Sequence, residues 1–128
     1  MSSENERPAA TVLVVEDDPD VREAISEALA DGGFAPVTAS HGGDALDYLR
    51  AEGQLRPSLI LLDLMMPVMD GFQFRTEQRN DPRMAEIPVV VISASGDIEN
   101  VAAAMNAAGI LRKPVRLPEL LAMVRRFT

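Results

Sequence analysis

The sequence predicts an α/β fold, a doubly wound five-stranded parallel sheet with helices on both faces. Three observations carry that expectation. Short, nearly unbroken apolar runs recur along the chain, each run stops abruptly at polar or charged residues, and the stretches between them place apolar residues at helical spacing. Strand and helix patterns that alternate in this way belong to parallel sheets with crossover helices.

The first run, Thr11-Val12-Leu13-Val14-Val15, consists of β-branched and aliphatic residues and ends in Glu16-Asp17-Asp18. Asp18 before Pro19 is a helix-start signal, a capping carboxylate followed by proline at the first helical position. Val21, Ile25, Ala28 and Leu29 then recur at helical spacing until Asp31-Gly32-Gly33 supplies the stop. Phe34 to Ala39 is a short second strand, and Pro36 places it at a sheet edge, where a missing N–H does least harm. Gly43 to Leu49 is a weakly amphipathic helix. After Arg56-Pro57 the apolar run Leu59-Ile60-Leu61-Leu62 forms the third strand and stops at Asp63.

A loop from Leu64 to Asp70 leads through Gly71 into a helix of about ten residues whose only large apolar members are Phe72 and Phe74. Ile87 to Ile92 is the fourth strand, stopping at Ser93-Ala94-Ser95, and a small-residue helix follows from Ile98 to Ala108. Ile110-Leu111 is a brief fifth strand before Arg112-Lys113-Pro114. Leu117, Leu120, Leu121 and Val124 place an apolar face on the last helix.

At 128 residues the chain is about one domain, and 47% hydrophobic with 25% charged residues is a globular composition. A polar tail over residues 1–10 is expected to be disordered, with the folded domain at 11–127. The net charge of −8 repels phosphate backbones and anionic lipid, so direct nucleic-acid binding is not expected. The absence of cysteine removes disulfides, thiolate metal sites and cysteine nucleophiles. No window reaches the length of apolar sequence that a membrane span needs, and residues 1–7 do not read as a signal peptide, so a cytoplasmic protein without membrane insertion is expected.

In open α/β sheets ligands sit beyond the carboxyl ends of the strands, where strand order reverses. Those ends carry Glu16, Asp17 and Asp18 on the first strand, Asp63 on the third, Ser93 on the fourth and Lys113 on the fifth. With strand order 2-1-3-4-5, the acids of strands one and three converge. Clustered carboxylates repel one another unless a cation is bound, and an oxygen-only donor set suits Mg²⁺. The plainer alternatives are that Asp18 only caps the first helix, the better reading for that residue, and that Glu16 and Asp17 are solvated loop charges. Asp63 closing a buried strand is costly unless paired, although a turn or cap acid is its alternative. Lys113 is the only lysine among arginines, a compact point charge at a strand end, against which stands a chance surface lysine. Ser93 offers a hydroxyl donor and alone means little.

Together, Val14-Val15-Glu16-Asp17-Asp18, the stretch Asp63-Leu64-Met65-Met66-Pro67-Val68-Met69-Asp70-Gly71, Ser93-Ala94 and Lys113-Pro114 resemble the receiver domain of two-component response regulators, over essentially Thr11 to Phe127. The stand-alone, single-domain type is the expectation, since only Arg125-Arg126-Phe127-Thr128 follow the last apolar face. The resemblance implies the flavodoxin-like (βα)5 receiver fold. It implies Asp63 as phosphoacceptor from a sensor histidine kinase or histidine phosphotransfer protein, with Lys113 and Ser93 as its partners in that chemistry. It further implies Mg²⁺ held by Glu16, Asp17, Asp63 and the backbone carbonyl of Met65. Ser93 and Ile110 would be the switch residues and a downstream protein the target, reached through the fourth and fifth helices. Ile110 stands where the family usually has an aromatic residue, Asn106 where it commonly has glycine, and Glu16 where the first metal acid is usually aspartate. The Ala102-Ala103-Ala104-Met105 helix is as compatible with covering the sheet as with packing on a partner.

Such a protein accepts a phosphoryl group without being a classified enzyme. A haloacid-dehalogenase-like phosphohydrolase would want a second acid where Met65 stands, and a dinucleotide-binding module would want a glycine-rich turn in place of Glu16-Asp17-Asp18-Pro19. The stronger alternative is a receiver-like interaction module that works without phosphorylation.

Overall fold

The computed structural model describes residues 9–64, 71–94 and 96–128. The expected tail lies almost wholly outside them, as do Met65 and Asp70. Five strand–helix units follow one another: β1 (Thr11–Val15), α1 (Pro19–Asp31), β2 (Ala35–Ala39), α2 (Gly42–Arg50), β3 (Leu59–Asp63), α3 (Gly71–Arg79), β4 (Val89–Ser93), α4 (Ile98–Ala104), β5 (Gly109–Arg112) and α5 (Leu117–Arg125). The strands form one parallel sheet in the order β2-β1-β3-β4-β5, so β2 with its Pro36 is an edge strand as expected.

Period-two alternation along the strands divides the core into two layers. Leu13, Val15, Ile60, Leu62, Val89 and Val91 face Ala45 and Leu46 of α2, Phe74 of α3, and Ile98 and Ala102 of α4. Val12, Val14, Leu59, Leu61, Val90 and Ile92 face Ile25 and Leu29 of α1 and Leu120 and Val124 of α5. Strands β1, β3 and β4 are buried at every position, which is why their sequences are apolar runs rather than alternating ones. On α5, Leu120 and Val124 are buried and Leu121 is partly so, but Leu117 is exposed, so the apolar face begins one turn later than its sequence predicts.

Helix α1 starts where the sequence places it: the Asp18 carboxylate accepts from the backbone N–H groups of Asp20 and Val21. It ends with Gly33 in the left-handed region (φ 92°), while Phe34 N–H donates to Leu29 and Gly33 N–H to Ala30. The same termination recurs at α4. Asn106 takes φ 54°, Ala107 N–H donates to Ala102, and Asn106 N–H donates to Ala103. This stops the helix at Ala104, four residues short of the Ala108 expected from spacing. Asparagine is among the few non-glycine residues that enter this conformation at modest cost, which accounts for its presence at a position glycine commonly fills.

Helix α3 lacks an apolar stripe because it buries polar side chains. Arg75 donates to the carbonyls of Met105 (3.0 Å) and Asn106 (2.9 Å) at the end of α4 and to the Gln78 side-chain oxygen (2.7 Å). Gln78, fully buried, donates in turn to the carbonyls of Met84 (2.8 Å) and Ile87 (3.0 Å). Burial and the nearby Arg79 lower the Arg75 pKa from its ordinary value. Replacing Gln78 with Leu strips a donor from buried carbonyls and an acceptor from a buried guanidinium. We expect it to lower the unfolding free energy by about 1–3 kcal/mol, measured by urea denaturation.

Candidate functional site

The parallel register pairs Val15 with Leu62, so the next residues along each strand, Glu16 and Asp63, emerge side by side at the carboxyl edge of the sheet. Glu16 N–H still continues the ladder, donating to Ala39 at 3.1 Å. Gly71 brings the chain back against this edge: its N–H donates to Leu64 (3.1 Å), and a Cβ there would lie 2.9 Å from the Leu64 Cα and 3.1 Å from the Asp63 carbonyl oxygen. Any larger residue would push α3 away from the end of β3.

One carboxylate oxygen from each of Glu16, Asp17 and Asp63 lies within 4.8 Å of the others. Glu16 and Asp63 are buried, while Asp17 is exposed at the rim. Lys113 is held to the end of β4 by its backbone N–H, which donates to the Ser93 carbonyl (3.0 Å). Its Nζ reaches Glu16 Oε1 at 3.1 Å and Asp63 Oδ2 at 3.4 Å. Buried Ser93 and exposed Ala94 complete the wall of a recess of about 420 Å³ that also touches Asp18.

Sequence reasoning therefore brings Glu16, Asp17, Asp63, Ser93 and Lys113 to one place. Asp18 acts as a helix cap, as the plainer alternative held. Glu16 is not a solvated loop charge: one oxygen accepts from Asp18 N–H at 3.2 Å and the other faces Lys113. Met65 lies outside the described residues. Ile110 pairs with Val91 and packs, partly buried, against the layer that contains α4. The residue that sequence reading missed is Arg22, whose Nη1 donates to the carbonyls of Glu16 (2.9 Å) and Asp17 (3.4 Å). Its position one helical turn beyond Asp18 was the available signal.

The electrostatics of the recess favour a cation. Burial, then the Asp63 carboxylate, push the Glu16 carboxyl up to about 7, against the opposing pull of Asp18 N–H and Lys113. For Lys113, burial works to lower its pKa, but Glu16 and Asp63 outweigh it and hold the ammonium above its ordinary value. Among the described residues, Glu16 and Asp63 share the Lys113 ammonium and Asp17 adds a third carboxylate at the rim. Glu16 Oε1 is buried, and the Lys113 ammonium that faces it at 3.1 Å is shared with Asp63. An oxygen-only donor set, with two buried carboxylates sharing one ammonium, fits a hard divalent cation.

The chain matches the response regulator receiver domain family over residues 12–125. It is 36% identical over 118 residues to the DNA-binding dual master transcriptional regulator RpaA of Synechocystis sp., covering 89% of this chain and 47% of that protein. It is 37% identical over 120 residues to the response regulator Rre1 of the same organism, covering 90% and 50%. The chain thus spans about half the length of these relatives. Among solved structures, the chemotaxis response regulator CheY4 of Vibrio cholerae superposes with a TM-score of 0.83 at 30% identity, over 94% of this chain and 99% of that one. The phosphorylated cyanobacterial phytochrome response regulator RcpA superposes with a TM-score of 0.77 at 32% identity, over 92% and 90%. Sequence match, chain coverage and superposition agree, and this protein belongs to the response regulator receiver domain family.

Proposed function

We propose that the domain formed by residues 11–127 is a phosphorylation-dependent switch of a two-component or phosphorelay system, with Asp63 as the phosphoacceptor. The observation that carries this reading is the contact of Lys113 with the buried Asp63 carboxylate at 3.4 Å, beside Glu16 and Asp17. That a structure so similar to this chain is of a phosphorylated response regulator supports it.

Phosphoryl transfer spreads charge over the oxygens of the moving group, so the protein's contribution is positioning and neutralisation. An Asp63 carboxylate oxygen bonds to phosphorus as the phosphorus–nitrogen bond of a donor phosphohistidine breaks, its electron pair returning to the imidazole. The Lys113 ammonium lies within reach of that oxygen and offsets the charge that arrives. The Ser93 hydroxyl, at the end of the neighbouring strand, donates to a phosphoryl oxygen. Glu16, Asp17 and Asp63 are the residues that would hold Mg²⁺, with the Met65 carbonyl as the further ligand that the family implies. When bound, Mg²⁺ supplies positive charge beside the transferring oxygens.

The aspartyl phosphate carries about −1.5 to −2 charge where the carboxylate carried −1. Drawing Ser93 toward it shifts the end of β4, beside which Ile110 and α4 pack, and this changes the α4–β5–α5 surface offered to a downstream protein. The donor is a histidine kinase or phosphotransfer protein, the setting is the cytoplasm, and the domain acts as a self-modifying acceptor rather than as an enzyme on a separate substrate.

Incubation with Mg²⁺ and acetyl phosphate, followed by intact mass measurement, is expected to show a gain of one phosphoryl group. A folded protein that gains none would instead be an interaction module working without phosphorylation. Lys113→Arg keeps the charge but replaces a compact ammonium with a planar fork. It should slow appearance of the adduct by roughly tenfold to a hundredfold, and an unchanged time course would remove Lys113 from the chemistry.

A further inference from the structure

We infer that Arg22 is a positioning residue for the cation-holding acids, fixing the β1–α1 turn from behind so that Glu16 and Asp17 keep their place opposite Asp63. The inference rests on the reading of Glu16, Asp17 and Asp63 as a Mg²⁺ site.

Three side chains of the turn bond to its own backbone. Glu16 Oε2 accepts from Asp18 N–H, Asp18 Oδ1 accepts from Asp20 N–H (2.9 Å) and Val21 N–H (3.3 Å), and Arg22 Nη1 donates to the carbonyls of Glu16 and Asp17. The Glu16 and Asp18 side chains secure the amide side of the turn. Arg22 alone among them secures the carbonyl side, and it does so at the two residues whose carboxylates serve the site. A carbonyl swung outward at either residue would rotate the attached Cα and re-aim its side chain. No carboxylate pairs with Arg22 among the described residues, so its guanidinium is committed to these carbonyls and not to a surface ion pair. Outer partners that orient metal ligands typically change metal affinity by about 10- to 100-fold when removed.

Positioning and simple charge make opposite predictions. A cation at the backbone of Glu16 and Asp17 opposes a second cation at their carboxylates, so on charge alone Arg22→Gln should bind Mg²⁺ more tightly and Arg22→Lys should bind it unchanged. If the fork positions the turn, both variants bind more weakly, because neither reproduces its reach and geometry. The test is calorimetric titration of MgCl₂, without phosphodonor, into the full chain and both variants, alongside urea unfolding in EDTA.

The expected result is Mg²⁺ affinity about tenfold lower in both variants, with metal-free unfolding midpoints close to the parent's. Equal or tighter binding by Arg22→Gln would overturn the inference. So would weaker binding matched by a metal-free midpoint that collapses in both variants, since that marks a purely structural residue. A parent chain that does not bind Mg²⁺ would overturn it together with the site reading, whereas a binding parent with unaffected variants would overturn it alone.

Discussion

Asp63→Asn will show no phosphoryl adduct under conditions that modify the parent chain to completion. The substitution keeps the shape of the side chain and removes the nucleophilic oxygen pair, so the expected loss is total. It is not a folding effect. Asp63 is buried beside Glu16, whose own carboxyl the Asp63 charge pushes upward, and converting one of the two to a neutral amide relieves repulsion. The variant should therefore unfold at a urea concentration equal to or above the parent's in EDTA. An adduct that persists in Asp63→Asn would move the acceptor to another residue, and intact mass measurement decides this directly.

Glu16→Gln has the second largest expected effect, and it is on stability. The Glu16 carboxyl lies near 7 in the folded protein and near 4.5 when unperturbed, chiefly through burial and then through Asp63. A carboxyl whose folded pKa is raised holds its proton more tightly in the native state. The stability it contributes is fully present below pH 4.5 and is lost as the pH rises through about 7. The unfolded chain ionises freely over that window and the native chain does not. At roughly 1.4 kcal/mol per unit, the loss above pH 7 is at most about 3–4 kcal/mol. Glu16→Gln should recover most of it at pH 8 in EDTA and little at pH 4, by urea denaturation at both values. Adding Mg²⁺ should reverse the order, because a cation bound only by the native state stabilises the parent in proportion to its affinity. A variant less stable than the parent at pH 8 without metal would mean that the Lys113 contact outweighs the burial cost. Both variants express one trade: the acids that equip the site for a cation weaken the fold in its absence.

What the sequence made legible follows from physical rarity. Burying a carboxylate is expensive, so Asp63 at the end of Leu59-Ile60-Leu61-Leu62 had to answer to something nearby, whereas Glu16 at the end of Thr11 to Val15 could equally have been a solvated loop charge. A lone lysine among arginines at a strand end was the candidate cation, and its Nζ lies 3.4 Å from Asp63 Oδ2 and 3.1 Å from Glu16 Oε1. Uninterrupted apolar strands made the parallel sheet legible and Pro36 the edge place of the second strand, whereas the full order 2-1-3-4-5 belongs to the doubly wound fold that the resemblance implies.

What stayed hidden has an equally physical reason. Arg22 and Arg75 bond to backbone carbonyls, which every residue carries and no sequence pattern marks. Helix α3 buries Arg75 and Gln78 where a hydrophobic pattern expects aliphatic side chains, so its packing face could not be read from apolarity. The early end of α4 turned on the conformation of the single residue Asn106, a weaker stop signal than the paired glycines that close α1.

The most direct measurement is residue-level mapping of the modified protein. After treatment with acetyl phosphate, borohydride reduction converts an acyl phosphate to homoserine, which peptide mass spectrometry locates. With Mg²⁺ present, the predicted result is homoserine at position 63 alone, and none when EDTA replaces the metal. Homoserine at Asp17 or another acid, or equal labelling at 63 with and without Mg²⁺, would contradict the convergence of a nucleophilic carboxylate, a cation site and the Lys113 ammonium on which the functional reading depends.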